Sequence, residues 1–459
     1  MNTILFHRCR AGMRGVIAAI AIGFALLPAR AATSASRPNI VLIFADDLGY
    51  GDIGCFGHPL IQTPNIDALA RRGVRLTSFY SAPSCVPARA QLMLGKYAGR
   101  VDFLGGTGPG GKGGIAGAEI TLAEALQGAG YHTAMVGKWH LGNAEDRFLP
   151  TAQGFDSWLG LPYSNDMVKP WVQTDVPLWL YEGSRKIEHP VKLDTLTARY
   201  TERSVDFIRR KREVPFFLYF APAMVHLPLA PGAAFRGRSR AGLYGDAVEE
   251  IDWAVGEMLK AVREAGKERD TLVIFTSDNG PWINPPPRML QAGNLLWHVG
   301  SAGALRGAKG STYEGGVRVP AVLHWPGHFE GGRTSADMAA TMDLYATLVR
   351  LGTGAAPRQS PMDGHDFTAF LDGTAKESPR KEFFYFSGRQ QAIAVRVGPW
   401  KLRLNDGIEL FHLELDPSER HNRAEEMPEI VARLKLRLEQ MATEVGGAKT
   451  NPPRPRTKK

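Results

Sequence analysis

Cysteine is scarce in this sequence, charged residues are no more than ordinary in number, and no repeat accounts for its glycine and proline. Three cysteines, 44% apolar residues and 22% charged residues in 459 positions are typical of a soluble globular protein of enzyme size. The 9% of aromatic residues is too high for a disordered chain. The 51 glycines and 31 prolines follow no triplet period, which excludes a fibrous protein.

Net charge is missing from the body of the chain. The formal charge of +9 comes from residues 1–31 and 449–459, which contain basic residues and no acidic one. The remaining residues carry 46 basic and 46 acidic side chains. Because a nucleic-acid-binding protein needs a basic stripe on its folded body, we expect no nucleic-acid partner. Residues 449–459, rich in proline and basic side chains, are expected to form a disordered tail.

Long apolar runs are absent after residue 31, so we expect no membrane span, which would need about twenty apolar residues. In residues 1–31, three arginines precede an apolar run at 16–27, which is followed by the small-x-small site Ala29-Arg30-Ala31. This pattern predicts a cleaved signal peptide, with an amphipathic surface anchor as the alternative. No Asn-x-Ser/Thr triplet occurs, which favours a bacterial periplasm over a lysosome. The protein is therefore expected to be exported, to the periplasm or beyond.

Apolar strands alternate with helices over most of the chain. The predicted strands are residues 39–44, 131–136, 216–220, 271–276 and 319–325, and the predicted helices begin near Pro64, Thr121 and Asp246. This alternation indicates an α/β fold with a mostly parallel sheet sandwiched by helices.

The pattern changes after about residue 375. Four short strands, at 383–386, 393–397, 400–404 and 409–413, precede a helix whose apolar face runs from Ile430 to Val445. They predict a smaller α+β subdomain with an antiparallel sheet. The expected domains are a large α/β domain at 36–375 and a C-terminal subdomain at 376–448.

Two predicted parallel strands end in pairs of oxygen-bearing side chains. Asp46 and Asp47 follow the first strand, and Asp278 and Asn279 follow the strand at 271–276. Ligands bind outside the carboxyl ends of parallel strands. Three carboxylates and an amide brought together there would form an oxygen cage for Ca²⁺ or Mg²⁺. A solvated strand end or a turn is the alternative for either pair.

Cys85 stands where a helix is predicted to begin. A proline in the first turn, followed by Ala-Arg-Ala-Gln-Leu-Met-Leu, places Cys85 about at the N-cap. The backbone N–H groups and the helix dipole favour a developing anion at that position. Arg89, one turn further on, faces the same way. In an oxidising compartment a disulfide with Cys55 is the alternative.

The segment Cys85-Val86-Pro87-Ala88-Arg89, preceded by the strand that ends in Asp46-Asp47, resembles the sulfatase motif of the alkaline phosphatase superfamily. Further segments are similar to sulfatase segments in the family's order, over nearly the whole mature chain. They carry Lys138 and His140 (Gly-Lys-Trp-His), Ser164 (Pro-Tyr-Ser-Asn-Asp), His226 (Met-Val-His-Leu-Pro), Asp278 and Asn279 (Ser-Asp-Asn-Gly), and Lys309 ahead of Tyr-Glu-Gly-Gly-Val-Arg-Val-Pro. Residues 395–419 resemble the family's C-terminal subdomain, and the Ser164 segment resembles the arylsulfatase A-like branch.

The resemblance implies an alkaline-phosphatase-like fold and hydrolysis of aryl or carbohydrate sulfate esters to an alcohol and inorganic sulfate. It implies that a formylglycine-generating enzyme converts Cys85 to Cα-formylglycine, whose hydrate is the nucleophile. The implied ligands of Ca²⁺, or of Mg²⁺, are Asp46, Asp47, residue 85, Asp278 and Asn279. The resemblance also implies that Lys138 and Lys309 neutralise the charge of sulfate and that His226, with Lys309 as a second donor, protonates the leaving oxygen. It implies that His140 deprotonates the hydrate and that Arg89 and Ser164 support the hydrate.

Two other functions stay open on the sequence alone. A phosphonate monoester or phosphodiester hydrolase of the same superfamily shares the Cys-x-Pro-x-Arg core. A non-catalytic, Ca²⁺-dependent protein that binds sulfated glycans would keep Cys85 as a thiol. Four tryptophans could stack on a sugar or aryl ring or pack in the core, namely Trp171, Trp179, Trp282 and Trp297. Cys55 is expected to be a buried thiol.

Overall fold

The computed structural model describes residues 37–101, 106–405 and 407–446. The predicted signal peptide and the predicted tail lie outside these residues. The strands are β1 Asn39–Ala45, β2 Val74–Tyr80, β3 His132–Gly137, β4 Ser157–Gly160, β5 Leu180–Glu182, β6 Arg185–Glu188, β7 Phe216–Ala221, β8 Thr271–Ser277, β9 Arg318–His324, β10 Arg333–Ala340, β11 Glu382–Phe386, β12 Ala392–Val397, β13 Trp400–Arg403 and β14 Glu409–His412. The α-helices are α1 Pro64–Arg72, α2 Cys85–Leu94, α3 Leu122–Gly128, α4 Leu196–Arg209, α5 Gly242–Glu264, α6 Glu314–Val317, α7 Thr341–Thr353, α8 Thr368–Leu371 and α9 Pro428–Glu444.

A ten-stranded mixed sheet has the order β10-β2-β9-β8-β1-β7-β3-β4-β5-β6. Its central strands β8, β1, β7, β3 and β4 are parallel to one another. Strand β9 is antiparallel to both of its neighbours, β8 and β2, and the short strands β5 and β6 form an antiparallel edge. The prediction of a mostly parallel sheet is confirmed.

Helices cover both faces of this sheet. Alternate residues of β1 point to opposite sides, as the pleat of a strand requires. Ile40, Leu42 and Phe44 belong to a core that also contains residues of α2, α3 and α7. Val41 and Ile43 belong to a second core with residues of α1, α4 and α5. Strand β1 is therefore buried on both sides, which explains its unbroken apolar run.

A separate four-stranded antiparallel sheet, in the order β11-β12-β13-β14, follows near the C-terminal end. Leu434, Leu438 and Met441 of α9 pack on it in a third core. The predicted antiparallel sheet is therefore present, while the domain boundary after residue 375 stays a prediction. Among the described residues, no helix is long and apolar enough to span a bilayer.

Local signals located several elements well. The helix predicted from Thr121 begins with the expected capping box, in which Thr121 accepts from the Glu124 N–H and Glu124 accepts from the Thr121 N–H. Helix α5 begins at Gly242, four residues before the predicted start at Asp246. The prediction missed β2, β4, β5, β6 and β10. Strands β4 to β6 have only three or four residues and β10 begins with a polar run, whereas the alternation Val-Arg-Leu-Thr at the start of β2 was a usable signal.

Candidate active site

The two oxygen-bearing pairs lie side by side because β1 and β8 are parallel and in register, with Ala45 opposite Ser277. The Asp47 backbone N–H donates to Asp278 Oδ1 at 3.0 Å, and Asn279 Nδ2 donates to Asp47 Oδ1 at 2.8 Å. All four side chains, including Asp46, are buried. The carboxyl ends of the two strands thus form one cluster of three carboxylates and an amide.

Cys85 is the first residue of α2, and Ser84 rather than Cys85 occupies the N-cap. The Cys85 sulfur, an oxygen of Asp46 and an oxygen of Asp278 all lie within 4.8 Å of one another. Both described cysteines are free, so the alternative of a disulfide between Cys55 and Cys85 is wrong. Cys55 is half-buried rather than buried. Burial raises the pKa of the Cys85 thiol despite the nearby charge of Lys138.

The donor set fits a hard divalent cation. Asp46 Oδ1 and Asn279 Oδ1 are buried and have no hydrogen-bond partner among the described residues. A buried polar atom without a hydrogen-bond partner destabilises the folded protein by about 1–3 kcal/mol. Two such oxygens in one cluster therefore favour a ligand that binds both of them. Carboxylate and amide oxygens are the ligands that Ca²⁺ prefers, with Mg²⁺ as the smaller alternative.

Three cations neutralise the carboxylates. Lys138 Nζ lies 2.6 Å from Asp46 Oδ2, and neither side chain is exposed. Lys309 Nζ lies 2.7 Å from one Asp47 oxygen and 2.8 Å from the other. Arg89 donates from Nη2 to an oxygen of Asp278 at 2.9 Å. Both predicted lysines therefore contact the cluster, although they are far apart in the sequence. Lys138 follows β3, and Lys309 precedes α6.

These charges change the acidity of the carboxyl groups. Burial would raise the pKa of Asp46, but the surrounding cations, Lys138 first among them, hold that pKa well below its usual range. Burial and the charge of Asp46 raise the pKa of Asp278 to about 7. Burial would lower the pKa of Lys309, but the charge of Asp47 raises it above its usual value. Of the cluster's carboxyl groups, Asp278 is therefore the one whose charged form burial and the neighbouring Asp46 disfavour most.

Two buried histidines flank the cluster. Burial, reinforced by Lys138, holds the pKa of His140 well below its usual value, and His140 Nδ1 has no hydrogen-bond partner among the described residues. Burial and the charge of Lys309 lower the pKa of His226. His226 Nδ1 lies 2.5 Å from the Leu227 carbonyl oxygen, which can only accept a hydrogen bond. His226 Nε2, 3.7 Å from Asp47 Oδ2, therefore faces the cluster.

Ser164 is buried, and its Oγ has no hydrogen-bond partner among the described residues. Its neighbour Asn165 donates from Nδ2 to the carbonyl oxygens of His226 and Pro228, at 3.5 and 3.1 Å. These bonds place the segment that begins at Ser164 beside the His226 loop.

Sequence reasoning assigned no role to Tyr219, although its hydroxyl lies 3.4 Å from Arg89 Nη1. Nothing in the apolar run of β7 distinguishes that tyrosine. Trp282 is half-buried, and its ring centroid lies 5.3 Å from that of His226 and 4.8 Å from Lys309 Nζ. Of the other tryptophans, Trp297 is 72% exposed, and Trp171 and Trp179 are half-buried. Trp171 and Trp282 pack against the second core, and none of the four is fully buried.

Two glycines allow the backbone segments to approach. Gly137 has a φ of 117°, and a Cβ there would lie 1.9 Å from the Ala221 oxygen, to which the Lys138 N–H donates at 2.7 Å. A Cβ on Gly280 would lie 1.8 Å from the Gly315 oxygen. Both positions therefore require glycine, and the second brings the segment containing Lys309 against the end of β8.

The family described as Sulfatase matches residues 38–355, which is more than half of the chain. The chain belongs to the sulfatase family. A second family, described as N-sulphoglucosamine sulphohydrolase, C-terminal, matches residues 308–444 of this sulfatase. These matches cover both the site and the second sheet.

Curated relatives and a solved structure agree with the assignment. This sulfatase is 40% identical to arylsulfatase A of Homo sapiens over 412 residues, or 84% of this chain and 77% of the relative. It is 37% identical to N-acetylgalactosamine-6-sulfatase of Sus scrofa over 386 residues, or 79% of this chain and 71% of the relative. The crystal structure of the PsFucS1 sulfatase from Pseudoalteromonas sp. superposes with a TM-score of 0.77 at 29% identity, covering 89% of this chain and 91% of that one. The predicted enzyme class, a sulfuric ester hydrolase, is thus confirmed.

Proposed function

We propose that this sulfatase cleaves aryl or carbohydrate sulfate esters at the ends of β1 and β8, with Cys85 converted to formylglycine and Ca²⁺ held by the neighbouring oxygens. The observation that carries the proposal is the approach of the Cys85 sulfur to within 4.8 Å of oxygens of Asp46 and Asp278. The proposed ligands are these two carboxylates together with Asp47, Asn279 and residue 85. Mg²⁺ is the alternative ion.

The nature of the cation favours the conversion of Cys85. Sulfur is a soft ligand that Ca²⁺ and Mg²⁺ bind poorly, whereas every other donor in the cluster is oxygen. An oxygen at position 85 would complete a uniform set of hard ligands. When present, the cation would polarise the sulfate group, and the formylglycine hydrate would supply an attacking hydroxyl and a second hydroxyl for release of sulfate.

The chain's own cations bind and orient the sulfate ester. Lys138 and Lys309 already lie on the ligand carboxylates, so their ammonium groups are placed to neutralise sulfate oxygens beside the metal site. Such preorganised charge stabilises the negative charge that develops in the transition state. Arg89, which donates to Asp278, and the buried Ser164 would hold residue 85 in position.

The histidines move protons. His226 Nε2 faces the cluster, and the doubly protonated imidazolium form of His226 is proposed to give its Nε2 proton to the leaving oxygen, with Lys309 as a second donor. Nδ1 keeps the other proton, which it donates to the Leu227 carbonyl oxygen. His140 is proposed to take the proton from the hydroxyl of residue 85 that releases sulfate. Its lowered pKa keeps the imidazole neutral and thus able to accept a proton at neutral pH.

The proposal includes maturation and export. A formylglycine-generating enzyme is the partner required to oxidise Cys85. The basic and apolar residues of 1–31 support secretion to the periplasm or beyond. Residues 36–375 would be the catalytic domain, residues 376–448 the C-terminal subdomain, and residues 449–459 a disordered tail.

Mass spectrometry of the tryptic peptide 76–89 from protein made in its native host tests the conversion. Formylglycine lowers the peptide mass by about 18 Da, because one sulfur and two hydrogens leave and one oxygen enters. We expect the shifted peptide and turnover of 4-nitrophenyl sulfate, with no turnover by Cys85→Ala. An unshifted peptide together with binding of sulfated glycan but no turnover would overturn the proposal and favour the non-catalytic alternative.

Substrate competition tests the other alternative. We expect kcat/KM for 4-nitrophenyl sulfate to exceed that for bis(4-nitrophenyl) phosphate. The two lysines and the metal site together can contact all three free oxygens of a sulfate monoester, whereas a phosphodiester has only two. A higher kcat/KM for the phosphodiester would contradict the proposal and favour a phosphodiesterase or phosphonate monoesterase.

A further inference from the structure

The segment from Ser164 to Trp171 contains a run of buried polar atoms that lack partners. Besides Ser164 Oγ, these are Asn165 Oδ1, Asp166 Oδ1 and Trp171 Nε1, none of which has a hydrogen-bond partner among the described residues. The Asp166 side chain is only 5% exposed. Because buried polar atoms in folded proteins are almost always paired, this concentration in eight residues indicates that a ligand supplies the missing partners.

The segment lies beside the catalytic histidine. Asn165 holds it against the carbonyl oxygens of His226 and Pro228. Asp166 is the next residue of this segment, and its Oδ1 is buried without a hydrogen-bond partner among the described residues. A group bound at Asp166 would therefore lie beside the His226 loop.

Exposure increases along one route out of the site. Asp47 is 2% exposed, and the Lys309 side chain that contacts it is 13% exposed. The half-buried ring of Trp282 lies 4.8 Å from Lys309 Nζ, and the Arg288 guanidinium lies 6.0 Å from the same ring. Arg288 is 43% exposed. The metal-binding end of the site is buried and exposure increases along this route, so the leaving group of a bound ester is placed to extend along it.

Arg288 joins the two sides of the route. Its Nη1 lies 3.3 Å from Asp166 Oδ2 and donates to the Trp171 carbonyl oxygen at 2.9 Å. The second oxygen of Asp166 stays without a partner. The route thus presents an aromatic face, a carboxylate oxygen, a guanidinium group and an indole N–H.

We propose that Asp166, Arg288, Trp171 and Trp282 form a leaving-group subsite that selects a sugar. The C–H face of a pyranose packs on an indole ring. Its hydroxyls donate to Asp166 and accept from Arg288 and from the Trp171 N–H, which pairs the unsatisfied atoms of Asp166 and Trp171. A plain aryl leaving group would leave those atoms unpaired. The inference rests on the proposed function and narrows its substrate class from aryl or carbohydrate to carbohydrate sulfate esters.

The test measures kcat/KM of the mature enzyme for two kinds of ester, 4-nitrophenyl sulfate and a panel of the 2-, 3-, 4- and 6-sulfates of galactose and N-acetylglucosamine. In Asp166→Asn, we expect kcat/KM for the preferred sugar sulfate to fall at least about tenfold more than kcat/KM for 4-nitrophenyl sulfate, because a site built to bind hydroxyls loses selectivity when its acceptor is altered. Arg288→Gln, at an exposed side chain that the fold tolerates, should give the same selective loss.

A matched control is Asp175→Asn in the same loop, where the carboxylate is 94% exposed and pairs with Lys169. It should leave kcat/KM for both kinds of ester unchanged. Equal losses on both esters in the Asp166 and Arg288 variants, or no loss on either, would overturn the sugar subsite. Wild-type turnover of 4-nitrophenyl sulfate without turnover of any sugar sulfate would overturn it while leaving the proposed function intact. Failure of the wild type on both, with Cys85 unconverted, would overturn both proposals.

Discussion

Arg89 in the first turns of α2 donates a hydrogen bond to Asp278 at the end of β8, with 2.9 Å between Nη2 and Oδ2 and neither side chain exposed. The same guanidinium donates from Nη1 to the Lys138 carbonyl oxygen at 3.0 Å. Because α2 begins with Cys85, one side chain connects the helix of the proposed nucleophile to a proposed metal ligand and to the lysine proposed to bind sulfate. Charge-assisted hydrogen bonds of this kind are directional and strong in a buried setting.

Replacing Arg89 by Met should therefore affect both stability and activity. Removal of one partner of a buried ion pair costs about 3–5 kcal/mol, because the other charge stays buried without compensation. We expect urea unfolding to show that loss, and kcat for 4-nitrophenyl sulfate to fall at least about 100-fold. Arg89→Lys keeps the charge but not the planar pair of donors, so its effects should be intermediate. Wild-type kcat in Arg89→Met would show that the link to α2 has no catalytic importance.

Removal of divalent cations should abolish activity without unfolding the chain. Lys138, Lys309 and Arg89 already compensate the carboxylates, so the metal-free protein is expected to stay folded with a lower Tm. Restoring Ca²⁺ to 100 times its Kd should add about 2.7 kcal/mol and raise the Tm accordingly. Thermal melts of chelated and reloaded protein measure the effect, and Asn279→Ala should need more Ca²⁺ for the same shift. If chelation changed neither the Tm nor the activity, that result would contradict the proposed metal site.

Glu250 on α5 makes stability depend on pH. Burial raises its pKa from 4.5 to about 7, although the Gly232 N–H donates to the carboxylate. Below about pH 4.5 the carboxyl is protonated in both the folded and unfolded states, and above about pH 7 it is charged in both. The folded state then bears the cost of a buried charge, so this group lowers the free energy of unfolding as pH rises through that window.

Glu250→Gln removes this cost while keeping an acceptor oxygen for Gly232. We expect the variant to be more stable than the wild type by about 1–3 kcal/mol at about pH 8 and equal to it at about pH 4.5. Denaturant unfolding at the two pH values measures the difference. A stability difference that is the same at both would show that Glu250 does not titrate in this range.

A buried network joins α6 to the second sheet. Lys401 Nζ lies 2.8 Å from Glu314 and 2.8 Å from Glu419, and none of the three side chains is exposed. Burial would raise the pKa of Glu314, but the charge of Lys401 outweighs it and lowers that pKa to about 2. Lys401→Met should therefore cost about 3–5 kcal/mol in the free energy of unfolding.

Adding Glu419→Gln to the Lys401 variant should recover part of that loss, because it removes the repulsion between two carboxylates. The matched control is Lys381→Met, whose ion pair with Glu377 is 62% and 74% exposed and should contribute little to stability. Equal losses for Lys401→Met and Lys381→Met would mean that the buried network does not stabilise the fold.

Local sequence predicted where helices begin and end better than it predicted what surrounds those ends. The Thr121 capping box formed as expected because it needs only residues three positions apart. Gly73 was also found at the predicted end of α1, but its φ of −123° is not the left-handed value of a typical glycine cap. Glycine is required there because a Cβ would lie 2.2 Å from the Leu323 oxygen of β9. That reason involves a strand some 250 residues away and cannot be read from neighbouring positions.

The sequence alone determined the buried strands, the side chains at their ends and the helix that starts with Cys85, since these depend on short-range patterns of apolar and capping residues. The tertiary structure decided which of those ends meet. Only the order β8-β1-β7-β3 brings Asp46, Asp278 and Lys138 into one cluster, and only the return of the chain before α6 adds Lys309. The same packing placed Arg288 against Asp166, 122 positions apart. Such contacts arise from long-range burial of the sheet and its loops, for which no local pattern exists.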